Sequence, residues 1–205
     1  NSFAKIGPDA NQPYFKKREI LPIPPGPDNA QTKNLGVIAT VGFHTGILMH
    51  NHSPALVACP NGDMLAVYFT SVGETSPDVA LIAMRLRNGA DSWDMPDMFL
   101  DFPDANDAGP LLWNDNDTLR LFWASVKLNS GFPFQWVNSV DNGATWGKVH
   151  FPLFETTMGG YSAQPINSAF RDQKGYIHIA SDAIGSSSVL WMSKNNGKTD
   201  RKSVV

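Results

Sequence analysis

The feature that most constrains the fold of this chain is an internal repeat with a period near 55 residues. Three segments share one pattern, in which a proline is followed by a short apolar strand, a polar turn and a second apolar strand. They are residues 54–69 (PALVACPNGDMLAVYF), 110–123 (PLLWNDNDTLRLFW) and 165–180 (PINSAFRDQKGYIHIA), and their prolines are 56 and 55 residues apart. Asparagine, aspartate and glycine in the turn favour a β-hairpin. Proline is expected at the start of the first strand, where no ladder donor is lost.

A second motif repeats in step with the first. Residues 139–146 read SVDNGATW, and degraded copies stand at residues 193–200 (SKNNGKTD) and 87–93 (RNGADSW). Asp141 is suited to accept backbone N–H bonds in a tight turn, Gly143 to adopt a positive φ, and Trp146 to pack between sheets. The copies end 53 and 54 residues apart. Two separate motifs with one period therefore predict a repeated structural unit.

The length of that unit predicts the fold class. About 55 residues carrying two pairs of strands correspond to a four-stranded blade, so we expect an all-β fold, a β-propeller of four-stranded blades. No segment keeps an apolar period of 3.6, so no helix is expected. We predict an extended leader over residues 1–35 and propeller blades over residues 36–205, with a strand starting at residues 36–41. Three to four blades of a six- or seven-bladed ring are visible, so another chain or missing C-terminal blades is expected to complete it.

Composition excludes several functions. The chain is 42% apolar and 17% charged, which is typical of a globular protein. Its net charge of −3 and the absence of a basic stripe argue against nucleic acid as a partner. The longest apolar stretch, residues 36–49, is interrupted by polar side chains and is too short to span a membrane.

These repeats resemble a known family. The turn motif at residues 139–146 is similar to the Asp-box of sialidases, and residues 50–200 resemble bacterial sialidase-like BNR-repeat proteins throughout. In that family the Asp-box is a structural element on the rim away from the active site. The resemblance therefore implies structural roles for Ser139, Asp141, Gly143 and Trp146. It also implies a secreted or periplasmic glycoside hydrolase that acts on an oligo- or polysaccharide without a cofactor or metal.

The resemblance is sharpest in the first unit. Sialidases open with an Arg-Ile-Pro segment, and an aspartate some two dozen residues later serves as general acid/base. This chain has His52, Ser53 and Pro54 in place of that segment, and Asp78 at the position of the aspartate. The resemblance thus implies a catalytic role for Asp78. A guanidinium binds a carboxylate through two parallel hydrogen bonds, whereas the imidazole of His52 offers one, so the sugar is expected to differ from that of the family.

Histidines cluster at the same place. His50 and His52 alternate along one strand and are expected to face the same side, and His44 lies shortly before them. Histidine is the usual acid/base group near neutral pH and a common metal ligand. A zinc site would need a third ligand, and none is evident nearby in the sequence. We therefore predict catalytic roles for His50 and His52 and no metal.

A pocket is expected where the loops between blades converge on the propeller axis. Residues predicted to contact substrate there are Glu74, His44, Asp107, Tyr161 and Gln164. The leading hypothesis is an exo-glycosidase that acts on a terminal acidic sugar. Two alternatives stay open. One is a uronate-polysaccharide lyase or rhamnosidase-type propeller that uses a histidine at this mouth, and the other is a non-catalytic glycan-binding propeller.

Overall fold

The structure, a computed structural model, describes residues 50–103, 105–125, 134–154, 164–181 and 189–204. Within these ranges the chain forms β-strands and turns and no helix, as the sequence predicted. The strands are β1 (His50–Ala58), β2 (Met64–Ser71), β3 (Ala80–Leu86), β4 (Asp97–Leu100), β5 (Asp107–Asp115), β6 (Thr118–Ser125), β7 (Gln135–Ser139), β8 (Leu153–Phe154), β9 (Pro165–Arg171), β10 (Ile177–Ser181), β11 (Val189–Ser193) and β12 (Thr199–Val204). The predicted leader, residues 1–35, and the predicted strand at residues 36–41 lie outside the described residues.

These strands form three sheets. The first sheet has the order β1-β2-β3-β4 and is antiparallel throughout, which matches the predicted four-stranded unit. The second sheet has the order β5-β6-β7, and a bridge between Trp136 and His150 extends its outer edge. The third sheet has the order β8-β12-β11-β10-β9, and its short edge strand β8 pairs in parallel with β12. Each predicted hairpin is therefore observed as an antiparallel pair: β1 with β2, β5 with β6, and β9 with β10.

The repeated prolines correct one prediction. Pro165 begins β9, but Pro54 and Pro110 lie inside β1 and β5, at points where the pairing register slips. Each slip is a β-bulge, in which an advance of three residues along the first strand pairs with an advance of two along the second. The bulges lie between His52 and Ala55 and between Ala108 and Leu111. A bulge leaves one residue without a ladder partner, so proline is accommodated there without the loss of a hydrogen bond.

The sheets pack face to face in chain order, with β5 lying between β1 and β9. One apolar cluster joins the first and second sheets around Val67, Leu81 and Trp123, and another joins the second and third around Phe122 and Trp191. The largest of these side chains are buried to 2% exposure or less. Because β5 contacts both β1 and β9, the N-terminal ends of these three strands lie on one side of the structure.

A buried carboxylate ties the second sheet to the third. Asp115, at the end of β5, accepts hydrogen bonds from Nε of Arg120 at 2.8 Å and from Nε and Nη2 of Arg171 at 2.6 and 2.7 Å. Arg171 belongs to β9, so this ion pair crosses the interface between sheets. Desolvation by burial would raise the pKa of Asp115, but the hydrogen bonds from Arg171 and Arg120 outweigh it and lower the pKa.

Candidate functional site

Two histidines and a phenylalanine form a cluster where β1 begins. The rings of His50 and His52 lie 5.8 Å apart on the same side of the strand, as their alternation predicted. Both rings contact Phe69 of β2, at centroid distances of 5.7 and 5.6 Å. His52 is opposite Phe69 in the strand register, which fixes the position of its backbone. The cluster therefore presents two imidazoles at one end of the first sheet.

The backbone beside His52 has an uncommon conformation. Ser53 lies in the bulge of β1 with a φ of 51°, in the left-handed region that side-chain-bearing residues rarely adopt. In the second sheet Gly109 has the equivalent place, one residue before the repeated proline, with a φ of 58°. Strained residues of this kind concentrate at functional sites, and bulges change the direction in which neighbouring side chains point. The bulge at Ser53 therefore helps to direct His52.

The loop between β2 and β3 brings two carboxylates to the same end of the sheet. Glu74 places Oε1 3.9 Å from Nδ1 of His52, and these side chains are 57% and 58% exposed. Asp78 is exposed in the same loop, and its backbone N–H donates to the Ser76 hydroxyl at 3.2 Å. A charge pair this exposed and this long adds little to stability. Glu74, Asp78 and His52 are therefore accessible to a ligand from solvent.

One residue at this site is not among those predicted from the sequence. Asn106 is 5% exposed, and its Nδ2 donates to the carbonyl oxygens of Glu74 at 2.8 Å and Ser76 at 2.9 Å. The repeat contained a signal for it, since Asn106 stands four residues before Pro110, as His50 stands four residues before Pro54.

Asp107 occupies a different environment from the one predicted. It has no exposed surface, and its Oδ1 accepts hydrogen bonds from the Trp123 indole at 3.1 Å and from the Ser125 hydroxyl. Its Oδ2 accepts from the backbone N–H of Phe102 at 2.6 Å. The prediction that Asp107 contacts a sugar hydroxyl is therefore corrected, because this carboxyl lies in the sheet interior. The network continues as Gln135 Nε2 donates to Ser125 Oγ at 2.6 Å.

Asp107 is expected to make stability depend on pH. Burial raises its pKa to about 6, against hydrogen bonds from Ser125, Phe102 and Trp123 that lower it. Its carboxyl ionises near pH 4 in the unfolded chain and only near pH 6 in the folded one. The contribution of Asp107 to the free energy of unfolding is thus fully present below about pH 4 and is lost as the pH rises to about 6, a change of about 3 kcal/mol.

Urea unfolding of the wild type and Asp107→Asn across this range measures the effect. The difference between the free energies of unfolding should shift in favour of the variant as the pH rises from about 4 to about 7. The contributions of groups that the two proteins share cancel in this comparison. A constant difference across the range would show that Asp107 does not titrate as described.

The other predicted contacts divide between described and undescribed parts of the chain. Gln164, which precedes β9, packs against Gly109 of β5 so closely that a Cβ on Gly109 would stand 2.7 Å from Oε1 of Gln164. A side chain at position 109 would have to displace Gln164, and the positive φ there would strain it further. Gln164 therefore lies near the start of β5, beside Gly109, which is two residues beyond Asp107. His44 and Tyr161 lie outside the described residues.

The turn at residues 139–146 lies at the opposite end of the sheets from the histidines. Its Asn142 accepts hydrogen bonds from the backbone N–H of Asn61, in the β1–β2 turn, at 3.1 Å and from Arg85 Nη2 at 2.6 Å. Hydrogen bonds from the hydroxyl and N–H of Thr145 and from the Ser139 hydroxyl lower the pKa of Asp141 to about 2. The turn thus connects the second sheet to the first, far from the candidate site.

Its copy in the third sheet has the same hydrogen bonds. Ser193 Oγ accepts from the N–H of Gly197 at 2.8 Å, as Ser139 does from Gly143 at 2.8 Å. Asn195 Oδ1 accepts from the N–H of Thr199 at 2.9 Å, as Asp141 does from Thr145. The carbonyl of Gly197 accepts from the Trp136 indole at 3.1 Å, so this turn too contacts the preceding sheet. An amide therefore replaces the carboxylate without loss of the turn.

The described residues contain no cluster of three or more His, Cys, Asp or Glu side chains arranged to hold a metal ion. In the same part of the chain, no helix is long and apolar enough to cross a membrane.

Comparison with solved structures identifies the fold. The chain is similar to the Hadza microbial sialidase Hz136 (TM-score 0.60, 15% identity, 76% of this chain and 37% of that one). It is similar to the NanB sialidase from Streptococcus pneumoniae (TM-score 0.63, 8% identity, 78% and 45%). It is also similar to Zg3597, a family 117 glycoside hydrolase of the marine bacterium Zobellia galactanivorans (TM-score 0.53, 12% identity, 75% and 55%).

At these identities the similarity concerns the fold: the sheets are blades of a β-propeller of the type found in sialidases. The chain spans between 37% and 55% of the length of these three structures. No protein-family model matches the sequence, and no curated protein matches it either.

Proposed function

We propose that these blades form the acid/base side of a carbohydrate-active site, in an exo-glycosidase that removes a terminal acidic sugar. The observation that carries the proposal is that His50, His52 and Glu74 lie together at one end of the first sheet, with Asp78 exposed in the same loop as Glu74. The structural neighbours include sialidases and another glycoside hydrolase, which supports a sugar as the substrate. An oligo- or polysaccharide substrate is consistent with a secreted or periplasmic protein.

The site residues divide the chemistry between them. Protonated Asp78 donates its proton to the glycosidic oxygen as the bond from that oxygen to the anomeric carbon breaks. Water then supplies a hydroxyl to the anomeric carbon and a proton that returns to Asp78. His52, when protonated, donates a charged hydrogen bond to the acidic group of the sugar. Glu74, whose Oε1 lies 3.9 Å from Nδ1 of His52, accepts hydrogen bonds from sugar hydroxyls.

His52 stands in place of the arginine in the Arg-Ile-Pro segment of sialidases, as the resemblance implies. This replacement favours a second candidate, a lyase that acts on a uronate. There a neutral His52 would remove the proton from the carbon next to the carboxyl group, and the glycosidic bond would break by elimination to give an unsaturated sugar. The departing oxygen would take up that proton from His52. No water would be added. A non-catalytic glycan-binding propeller is the remaining alternative, and binding without turnover would identify it.

The test measures how the kcat/KM of Asp78→Asn depends on the leaving group of the substrate. Aryl glycosides of sialic and glucuronic acid with nitrophenol leaving groups need little protonation, whereas alkyl glycosides need a full proton. We expect Asp78→Asn to lose at least about tenfold more kcat/KM on the alkyl glycosides. Asp97→Asn, an exposed carboxyl on β4, is the matched control and should behave as wild type. Equal losses on both substrates, or an unsaturated product, would remove Asp78 from this role.

The proposal also concerns the turns between blades and the completion of the propeller. The turn at residues 139–146 has the hydrogen bonds of a structural element, which supports its assignment as an Asp-box that joins neighbouring blades.

On the third sheet Phe170 is 51% exposed beside His178, with which its ring stacks at 4.9 Å. The corresponding face of the second sheet is covered by the third. We therefore expect further blades, from the same or another chain, to cover the face that carries Phe170.

A further inference from the structure

We infer that Asn106 is the positioning residue of the candidate site, because it holds the loop that carries Glu74 and Asp78 against the second sheet. The loop connects β2 to β3 and has no strand pairing of its own. The amide of Asn106 comes from the residue before β5 and donates to the carbonyls of Glu74 and Ser76. Next to it, the backbone N–H of Asp107 donates to the carbonyl of Val79 at 3.1 Å. Three hydrogen bonds from two consecutive residues thus fix residues 74–79.

The chemistry of Asn106 fits positioning better than stabilisation. Both donors of its Nδ2 are used, but its Oδ1 is buried and has no hydrogen-bond partner among the residues that the structure describes. An unsatisfied buried acceptor costs free energy, which offsets part of what the two donors contribute. The two carbonyls it binds belong to a loop with exposed side chains, where water can replace the amide. Removing Asn106 should therefore loosen the loop more than it destabilises the protein.

The loop fixes the two carboxylates relative to the histidines. With Asn106 in place, the backbone of Glu74 is held where its side chain reaches His52 at 3.9 Å. The second bond anchors Ser76, whose hydroxyl accepts from the N–H of Asp78 at 3.2 Å. A displacement of about 1 Å at a reacting group is enough to lower a rate substantially. This consequence for catalysis rests on the proposed function, whereas the attachment of the loop does not.

Amide hydrogen exchange followed by NMR tests the attachment directly. In Asn106→Ala the backbone N–H groups of Ser76 and Asp78 should exchange at least about tenfold faster than in wild type, while amides of β6 keep their rates. The matched control is Asn114→Ala at the far end of β5, because Asn114 Nδ2 also donates to a first-sheet carbonyl, that of Ala58, at 3.2 Å. It should leave Ser76 and Asp78 unchanged. If Asn106→Ala does not fold, Asn106→Ser, which can donate to one carbonyl only, should give a smaller acceleration.

Activity on the glycosides described above provides the second measurement. Asn106→Ala should resemble Asp78→Asn, with a larger loss of kcat on alkyl than on nitrophenyl glycosides and little change in KM. Unchanged exchange at Ser76 and Asp78 would overturn the inference, and so would faster exchange with wild-type kinetics. Faster exchange in a protein that cleaves none of the glycosides would support the attachment of the loop by Asn106 and contradict the proposed function instead.

Discussion

Replacing His52 with alanine is expected to lower the turnover of the glycosidase proposed above by at least about 10²-fold, the scale for a lost acid/base or positioning group. The resemblance of the first repeat to sialidases predicts that His52 takes the place of their substrate-binding arginine. In the structure its Nδ1 lies 3.9 Å from Oε1 of Glu74. Its side chain is 58% exposed, so its removal leaves no large cavity and the fold should survive. Steady-state kinetics on the acidic aryl glycosides, with circular dichroism as a check of folding, measure the effect.

His150→Ala is the matched control for this variant. His150 is also exposed, but its ring stacks on Trp136 of the second sheet at 4.1 Å, and it takes no part in the cluster around Phe69. Loss of that stacking should affect stability slightly and turnover not at all. Wild-type turnover by purified His52→Ala, or equal losses in both variants, would remove His52 from the site.

The largest effect on stability is expected from Asp115→Ala. Asp115 is 6% exposed and is the shared partner of Arg120 and Arg171, so its removal leaves two guanidiniums without their carboxylate. Breaking a buried ion pair from one side typically costs about 3–5 kcal/mol, because the remaining charge is left uncompensated. Arg171 also lies over the Trp113 ring at 5.8 Å, so the interface between the second and third sheets should loosen as well. The free energy of unfolding in urea, measured at neutral pH, gives the cost.

An exposed ion pair of the same chemistry is the control. Asp94 binds Arg87 at 2.9 Å, but the two side chains are 42% and 66% exposed. Solvent screens such a pair, so Asp94→Ala should cost no more than about 1 kcal/mol. If Asp115→Ala were no more costly than Asp94→Ala, the buried carboxylate would not connect the two sheets as described.

The local features of this protein were determined by its sequence. The three repeated segments predicted the hairpins that open the sheets, because turn residues and strand alternation act over a few neighbouring positions. The same period-two geometry placed His50 and His52 on one side of β1. The resemblance to sialidases was carried by these segments, and the structural neighbours share the propeller fold that it implied.

Only the tertiary structure decided which polar residues face solvent and which are buried. Asp107 and Glu74 were predicted as equivalent substrate contacts, yet one is fully buried beneath Trp123 and the other lies beside His52. Asp115 and Arg171 are 56 residues apart in the chain, and Asn106 is about 30 residues from the carbonyls it binds. Burial and such contacts depend on which sheet packs against a strand and at what register. That information lies in the packing of one repeat on the next and cannot be obtained from the pattern within either.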